Sequence, residues 1–132
     1  MGQPVAIQTH QVTATDIHIA MVPSPGGPVP TPQPLPFTGI INGATAPTVR
    51  IGGQPAAVVG SVAQNTPPHI PMPPAVSFQK PPTNQGKVAV GSATVRFGGQ
   101  AAARNGDPVT TCNDPADAPL GSVVAVGTVM AG

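Results

Sequence analysis

Residues 94–107 read TVRFGGQAAARNGD, and residues 48–61 read TVRIGGQPAAVVGS. With one phrase laid on the other, Thr48 meets Thr94, Val49 meets Val95, Arg50 meets Arg96, and Gly52-Gly53 meet Gly98-Gly99. The match continues through Gln54 with Gln100 and Gly60 with Gly106, and Ile51 faces Phe97. Each copy runs a Val-Arg-apolar alternation into Gly-Gly and then into small residues. That is the pattern of a β-hairpin whose tight turn needs positive φ. Val49/Ile51 and Val95/Phe97 point to one strand face and Arg50/Arg96 to the other, so one face packs and the other is wetted. The two arginines read as solvated charges, whose usual effect on a strand is to block edge pairing.

Outward from these hairpins the chain continues in the same style. Its 132 residues fit one domain, 1–132, built around the two repeats. Twenty Pro and sixteen Gly make up more than a quarter of it, and the apolar content is mostly Ala and Val, with three Phe and no Trp or Tyr. A thick core of large side chains is therefore unavailable. Charge is too sparse for a disordered chain, and Val, Ile and Thr recur in short runs. The expected fold class is all-β: residues 4–9, 15–21, 38–41, 47–51, 54–60, 87–90, 93–97, 100–104 and 121–129 are candidate strands. No helix is expected, because Pro or Gly interrupts nearly every window. Two Pro-rich stretches, 21–37 and 65–86, are expected to be stiff arms that cross the surface in a polyproline conformation without a ladder.

Five basic and four acidic residues give a net charge of +1. With no basic stripe and no aromatic stacking platform, nucleic acid is an unfavoured partner. No apolar run is long enough for a membrane helix, and the first residues lack a signal peptide. The expectation is a chain made in the cytoplasm.

The residues able to do chemistry are few. His10, His18, His69 and Cys112 are the whole histidine and cysteine inventory, and it equals one tetrahedral zinc site. Their spacing is not a knuckle, and a scattered histidine in a strand protein is more often a surface or core residue. Two observations favour ligation. His69 follows the first repeat and Cys112 follows the second at comparable places, and a chain so poor in core would gain folding free energy from a structural metal. Asp16 lies two residues before His18, on the same strand face. It could hold the imidazole from behind, or it could be a turn aspartate. Asp107, Asp114 and Asp117 stand in turn signatures. No nucleophile elbow, P-loop, HExxH or paired carboxylates occur, so an enzyme is not expected. The competing reading, a small zinc hydrolase, would need an open metal position and a nearby general base.

TDIH (15–18), IGGQPAA (51–57), PPHIP (67–71), FGGQAAARNGDPV (97–109) and Cys112 together resemble the PAAR-repeat family. The signature Pro-Ala-Ala-Arg is represented here by PAAV (55–58) and AAAR (101–104). The resemblance implies a small pointed cone of short strands. Such a cone caps the trimeric, VgrG-like spike protein of a contractile injection machine, such as a type VI secretion system, an extracellular phage-tail-like particle or a phage tail. It implies a zinc near the apex held by three histidines and one cysteine, which carries over to His18, His69 and Cys112, with His10 as the fourth candidate. It also implies secreted effectors as further partners, transient contact with a target membrane, one monomer per trimeric partner, and delivery at the tip of the particle. No effector domain is expected after Cys112.

Overall fold

The computed structural model describes residues 2–132, and among these there are thirteen strands and no helix. In chain order they begin with β1 (Gln3–Pro4), β2 (Gln11–Val22), β3 (Val29–Gly43), β4 (Arg50–Ile51) and β5 (Gln54–Pro55). Next come β6 (Val62–Asn65), β7 (Ser77–Phe78), β8 (Gln85–Val88), β9 (Arg96–Phe97) and β10 (Gln100–Ala101). The last are β11 (Pro108–Thr111), β12 (Ala118–Val124) and β13 (Met130–Ala131). Strands β2, β3, β6, β8, β11 and β12 pair antiparallel in that order, and β12 returns to pair with Gln11–Thr13 of β2. The sheet thus closes into a small barrel, which removes edges that would otherwise template aggregation. β7 adds to β2 at its far end, through Ala20 and Met21.

β2 shows how the sequence sets the interior. In QVTATDIHIAMV, Val12, Asp16, His18 and Ala20 are buried at every second or fourth position, and Gln11 and Thr13 are exposed. Period-two alternation places all the even-numbered residues on the inner face. The inside of this one strand therefore changes from apolar to polar and back to apolar along its length.

The first Pro-rich stretch is not a ladder-free arm. Residues 29–37 lie within β3 and pair residue by residue with β2, Val29 opposite Val22 and Phe37 opposite Ala14. Pro30, Pro32, Pro34 and Pro36 fall at alternate positions and are exposed, while Gln33, Leu35 and Phe37 between them are buried. Thr38 shares the prolines' parity, and it turns its N–H to Asn65 Oδ1 and its carbonyl to the Thr66 N–H, away from β2. The prolines therefore lack donors only on the side that β6 does not reach, since β6 pairs no further out than Gly39. Proline at an unpaired edge leaves the ladder on the other side intact. The second stretch, 65–86, does run mostly outside any ladder and joins the sheet only at its first residue, Asn65 of β6, at β7 and at the start of β8.

At the opposite end of the barrel the two repeated phrases form hairpins, β4–β5 and β9–β10, with Ile51 opposite Gln54 and Phe97 opposite Gln100. Their two-residue turns are Gly52-Gly53 (φ 60° and 85°) and Gly98-Gly99 (φ 61° and 86°), as a turn with both central residues at positive φ requires. A third ribbon, β13–β1, has the same register, Ala131 opposite Gln3 and Met130 opposite Pro4. GQPVAIQT (2–9) accordingly corresponds to GQPAAVVG (53–60) and GQAAARNG (99–106), and TVMAG (128–132) to TVRIG and TVRFG. The third phrase is present but divided between the two ends of the sequence.

The three copies close on one another around a pseudo-threefold axis. Ala6 N–H donates to Ala103 O, Ala103 N–H to Ala57 O and Ala57 N–H to Ala6 O, at 2.9–3.0 Å. Three isolated bridges, Val5 with Arg104, Ile7 with Ala56 and Val58 with Ala102, obey the same rotation. Ala6, Ala57 and Ala103 are fully buried, so only a methyl-sized side chain fits where three chains converge. Above this floor lie Val12, Ile41, Ala63, Val88, Val109 and Val123, with Phe37. Gly39 makes room for that ring, since a Cβ there would stand 2.6 Å from Phe37 Cε1.

Each copy ends in the same turn, with Thr9 (φ 89°), Gly60 (φ 94°) and Gly106 (φ 86°) at equivalent places. A β-branched residue at positive φ is strained, at a cost of about 1–2 kcal/mol. Thr9→Gly, which copies the sister turns, is expected to raise stability by about 0.5–1 kcal/mol, the relieved strain less the added chain entropy of glycine. Chemical denaturation would measure it, and an unchanged or lower midpoint would contradict the equivalence.

Candidate metal centre

From these three turns, three strands run inward along the barrel wall, and each leads to a metal-capable side chain. β2 follows Thr9 and carries Asp16 and His18; β6 follows Gly60 and leads to His69; β11 follows Gly106 and leads to Cys112. His18 comes nine residues after Thr9, and His69 comes nine after Gly60. Beyond the valine layer the donors meet: one ligand atom from each of Asp16, His18, His69 and Cys112 lies within 4.8 Å of every other. Asp16 Oδ2 is 2.9 Å from His69 Nε2 and 3.6 Å from Cys112 Sγ, and that sulfur is 3.6 Å from His18 Nε2. Asp16 is 0% exposed, His18 1%, Cys112 3% and His69 9%.

The surrounding backbone fixes each donor. Asn113 Oδ1 accepts the Ile17 N–H at 2.7 Å, Asp114 Oδ2 accepts the Ile19 N–H at 2.9 Å, and the Asp114 N–H donates to Ile17 O. The segment after Cys112 is thereby fastened along β2, and the thiol is held against His18. On the other side Asn84 Oδ1 accepts the His69 N–H at 2.7 Å, and Asn65 Nδ2 lies 3.3 Å from His69 Nδ1. Phe78 packs on the His18 ring with centroids 5.6 Å apart, and Phe37 lies 6.2 Å from the His69 ring.

Burial lowers the pKa of His18, reinforced by the neighbouring His69 and only partly opposed by Asp114 and Asp16, so its imidazole is biased toward the neutral form that binds metals. Burial would also lower His69, but hydrogen bonds and charge from Asp16 and Cys112 outweigh it and push the value up to about 9. A metal at His69 Nε2 must displace that proton, so binding is coupled to proton release.

Two further observations fit a metal. His18 Nδ1 is buried and has no hydrogen-bond partner, with Asp114 Oδ2 at 3.5 Å. A histidine ligated through Nε2 carries its proton on Nδ1 and directs it at such a carboxylate. The donor set, two imidazoles with a thiolate and a carboxylate, suits Zn²⁺, which accepts nitrogen, sulfur and oxygen at tetrahedral positions. The cavity bordered by His18, Cys112 and Asp114 measures about 10 Å³, which leaves no room for a substrate. A larger hollow of about 270 Å³, walled by Leu35, Pro67, Pro68 and Ile70, meets His69 alone of the four.

The structure does not bring His10 into this group. Its Nδ1 accepts the Ile7 N–H at 3.1 Å, and its own N–H donates to Ile7 O. Ser61 Oγ and Asp107 Oδ2 do the same at the equivalent turns, accepting from the N–H groups of Val58 and Arg104. His10 is thus one of three turn caps. His10→Ser, which borrows the Ser61 solution, is expected to leave metal content unchanged when the purified protein is assayed by elemental analysis. Loss of metal in this variant would return His10 to the ligand set. Asp107 also binds Arg104 through an ion pair, Nη2 to Oδ1 at 2.9 Å. Asp114, Thr111, Asn113 and Asn65 had no separate signal beyond their nearness in sequence to Cys112 or His69, and Asn84, 15 residues from His69, had none.

A closed β-barrel with a pseudo-threefold floor and a buried metal-capable group defines the class of molecule. The family model described as the PAAR motif matches residues 19–112, more than half of the sequence, and the chain belongs to that family. No curated protein matches the chain. The PAAR motif supports a spike-tip role in contractile injection systems, in association with a spike protein.

Proposed function

We propose that this chain is the zinc-stiffened tip of a contractile injection machine. It sits with its three ribbons against the end of a trimeric β-helical spike, one chain per trimer. The observation that carries the reading is the pseudo-threefold floor: three ribbons in one chain, related by the rotation that a trimeric partner possesses. A single polypeptide can then present similar strand edges to three equivalent faces. The metal-capable group lies on the far side of the valine layer, where a tapering object has least core and gains most from a crosslink. Beyond it, Ile70, Met72 and Val76 are exposed. Exposed apolar side chains there suit an element driven first into a membrane, which supports delivery at the head of the particle.

Native mass spectrometry of the chain mixed with a trimeric spike protein of a contractile injection system tests the proposal. A complex of one tip with three spike chains is the expected result. Binding in a one-to-one ratio to monomeric spike chains, or no binding to the assembled trimer, would sink it.

A further inference from the structure

We infer that Asp16 is itself a metal ligand, through Oδ2, and completes a four-coordinate shell with His18, His69 and Cys112. This rests on the proposed reading of the site as a metal centre. The two oxygens of Asp16 are divided between different tasks. Oδ1 faces the barrel wall, where the Thr111 hydroxyl donates to it at 2.5 Å and Asn113 Nδ2 at 3.3 Å. Oδ2 faces the other donors, 2.9 Å from His69 Nε2 and 3.6 Å from the Cys112 sulfur.

A carboxylate that merely orients a ligating imidazole approaches the ring nitrogen that does not bind the metal. Asp114 stands in that position at His18 Nδ1. Asp16 does not: it approaches the same edge of His69 that the other donors face, while Asn65 occupies the Nδ1 side. Bond lengths of about 2.0–2.1 Å to nitrogen or oxygen and about 2.3 Å to sulfur place tetrahedral donors roughly 3.3–3.6 Å apart. The 3.6 Å contact of Oδ2 with the Cys112 sulfur already matches that separation, whereas the 2.9 Å contact with His69 Nε2 is a hydrogen bond that would open by about 0.4 Å once a metal replaced its proton.

Charge leads to the same assignment. Asp16 is 0% exposed, and neither Lys nor Arg forms an ion pair with it among the described residues. A carboxylate buried this completely needs a positive partner beside it, and a divalent ion bound at Oδ2 would take the place of the proton that His69 Nε2 shares with it. No third imidazole competes for the place, because His10 caps its own turn.

Cobalt substitution of the full chain provides the test. The wild-type protein should show the sulfur-to-cobalt charge-transfer band and four-coordinate d–d bands that added azide does not alter. Asp16→Ala should open a position, so that azide shifts the d–d bands and metal affinity falls by at least tenfold. Should Asp16→Ala fail to fold, Asp16→Cys carries the same question: a direct ligand position makes the charge-transfer band roughly twice as intense, reflecting two thiolates. Azide binding to the wild-type site, or an Asp16→Cys band no stronger than wild type, would overturn the assignment of Asp16 while leaving the metal centre in place. Absence of any charge-transfer band in the wild-type protein would instead remove the metal centre itself.

Discussion

Chelating the metal is expected to lower the thermal midpoint of the chain by on the order of 15 °C. A ligand present at a thousand times its dissociation constant stabilises the folded state by about 4 kcal/mol, and each kcal/mol moves the midpoint of a chain this size by roughly 3–5 °C. The effect should be this large because the donors come from three separate climbs of the barrel wall. Asp16 and His18 stand on β2, His69 follows β6 and Cys112 follows β11. Without a metal, His69 is left to neutralise a buried carboxylate alone, and His18 Nδ1 keeps no partner. Cys112→Ala and His18→Ala should each lose metal and stability together. Calorimetry with elemental analysis on the same samples would check both. Full zinc occupancy in the two variants, or equal midpoints with and without chelator, would refute the assignment.

Phe37→Ala is expected to cost about 3–5 kcal/mol, the range for deleting a buried aromatic ring. Phe37 is 1% exposed and is the largest fully buried side chain. Its neighbours cannot swing into the space it leaves. Gly39 and Gly86 have no side chains, and a Cβ on either would already stand 2.6 Å or 3.4 Å from the ring. The rest of the core cluster is mostly short valines and alanines, with Ile41, fixed in a closed ladder. The loss should exceed that of any surface substitution and should also weaken metal binding, since the ring packs beneath His69. Urea denaturation at saturating zinc would measure the first effect. A cost under about 1 kcal/mol would mean that the barrel collapses around the void, against the rigidity argued from its closure.

Much of this molecule was legible from residue types. Gly52-Gly53 and Gly98-Gly99 announce their turns because few residues tolerate successive positive φ values. TDIH places Asp16 and His18 on one face because strand periodicity is fixed by covalent geometry. The prolines of β3 misled for a specific reason. Each looks like a ladder breaker alone, and only their common parity, seen against β2 as partner, shows that they spare the hydrogen-bonded side. The third repeat was hidden because its halves, TVMAG and GQPVAIQT, lie at opposite ends of the sequence and meet only in the folded chain. His10 joined the candidate donors by counting, four metal-capable side chains for four positions. Counting carries no information about its turn with Ile7. The convergence of Asp16 on the same cluster depends on where β6 and β11 end, which no local pattern encodes.

The three ribbons share a backbone arrangement but not side chains: Arg50 and Arg96 occupy two of the equivalent positions and Met130 the third. On a partner with true threefold symmetry, the chain could dock in three rotational settings that the partner cannot tell apart. That degeneracy favours association by RT ln 3, about 0.65 kcal/mol. It also means that a population of such complexes would be orientationally mixed. Whatever the chain presents off its axis, including the single Met130 ribbon, would then face each of the three partner subunits in a third of the complexes.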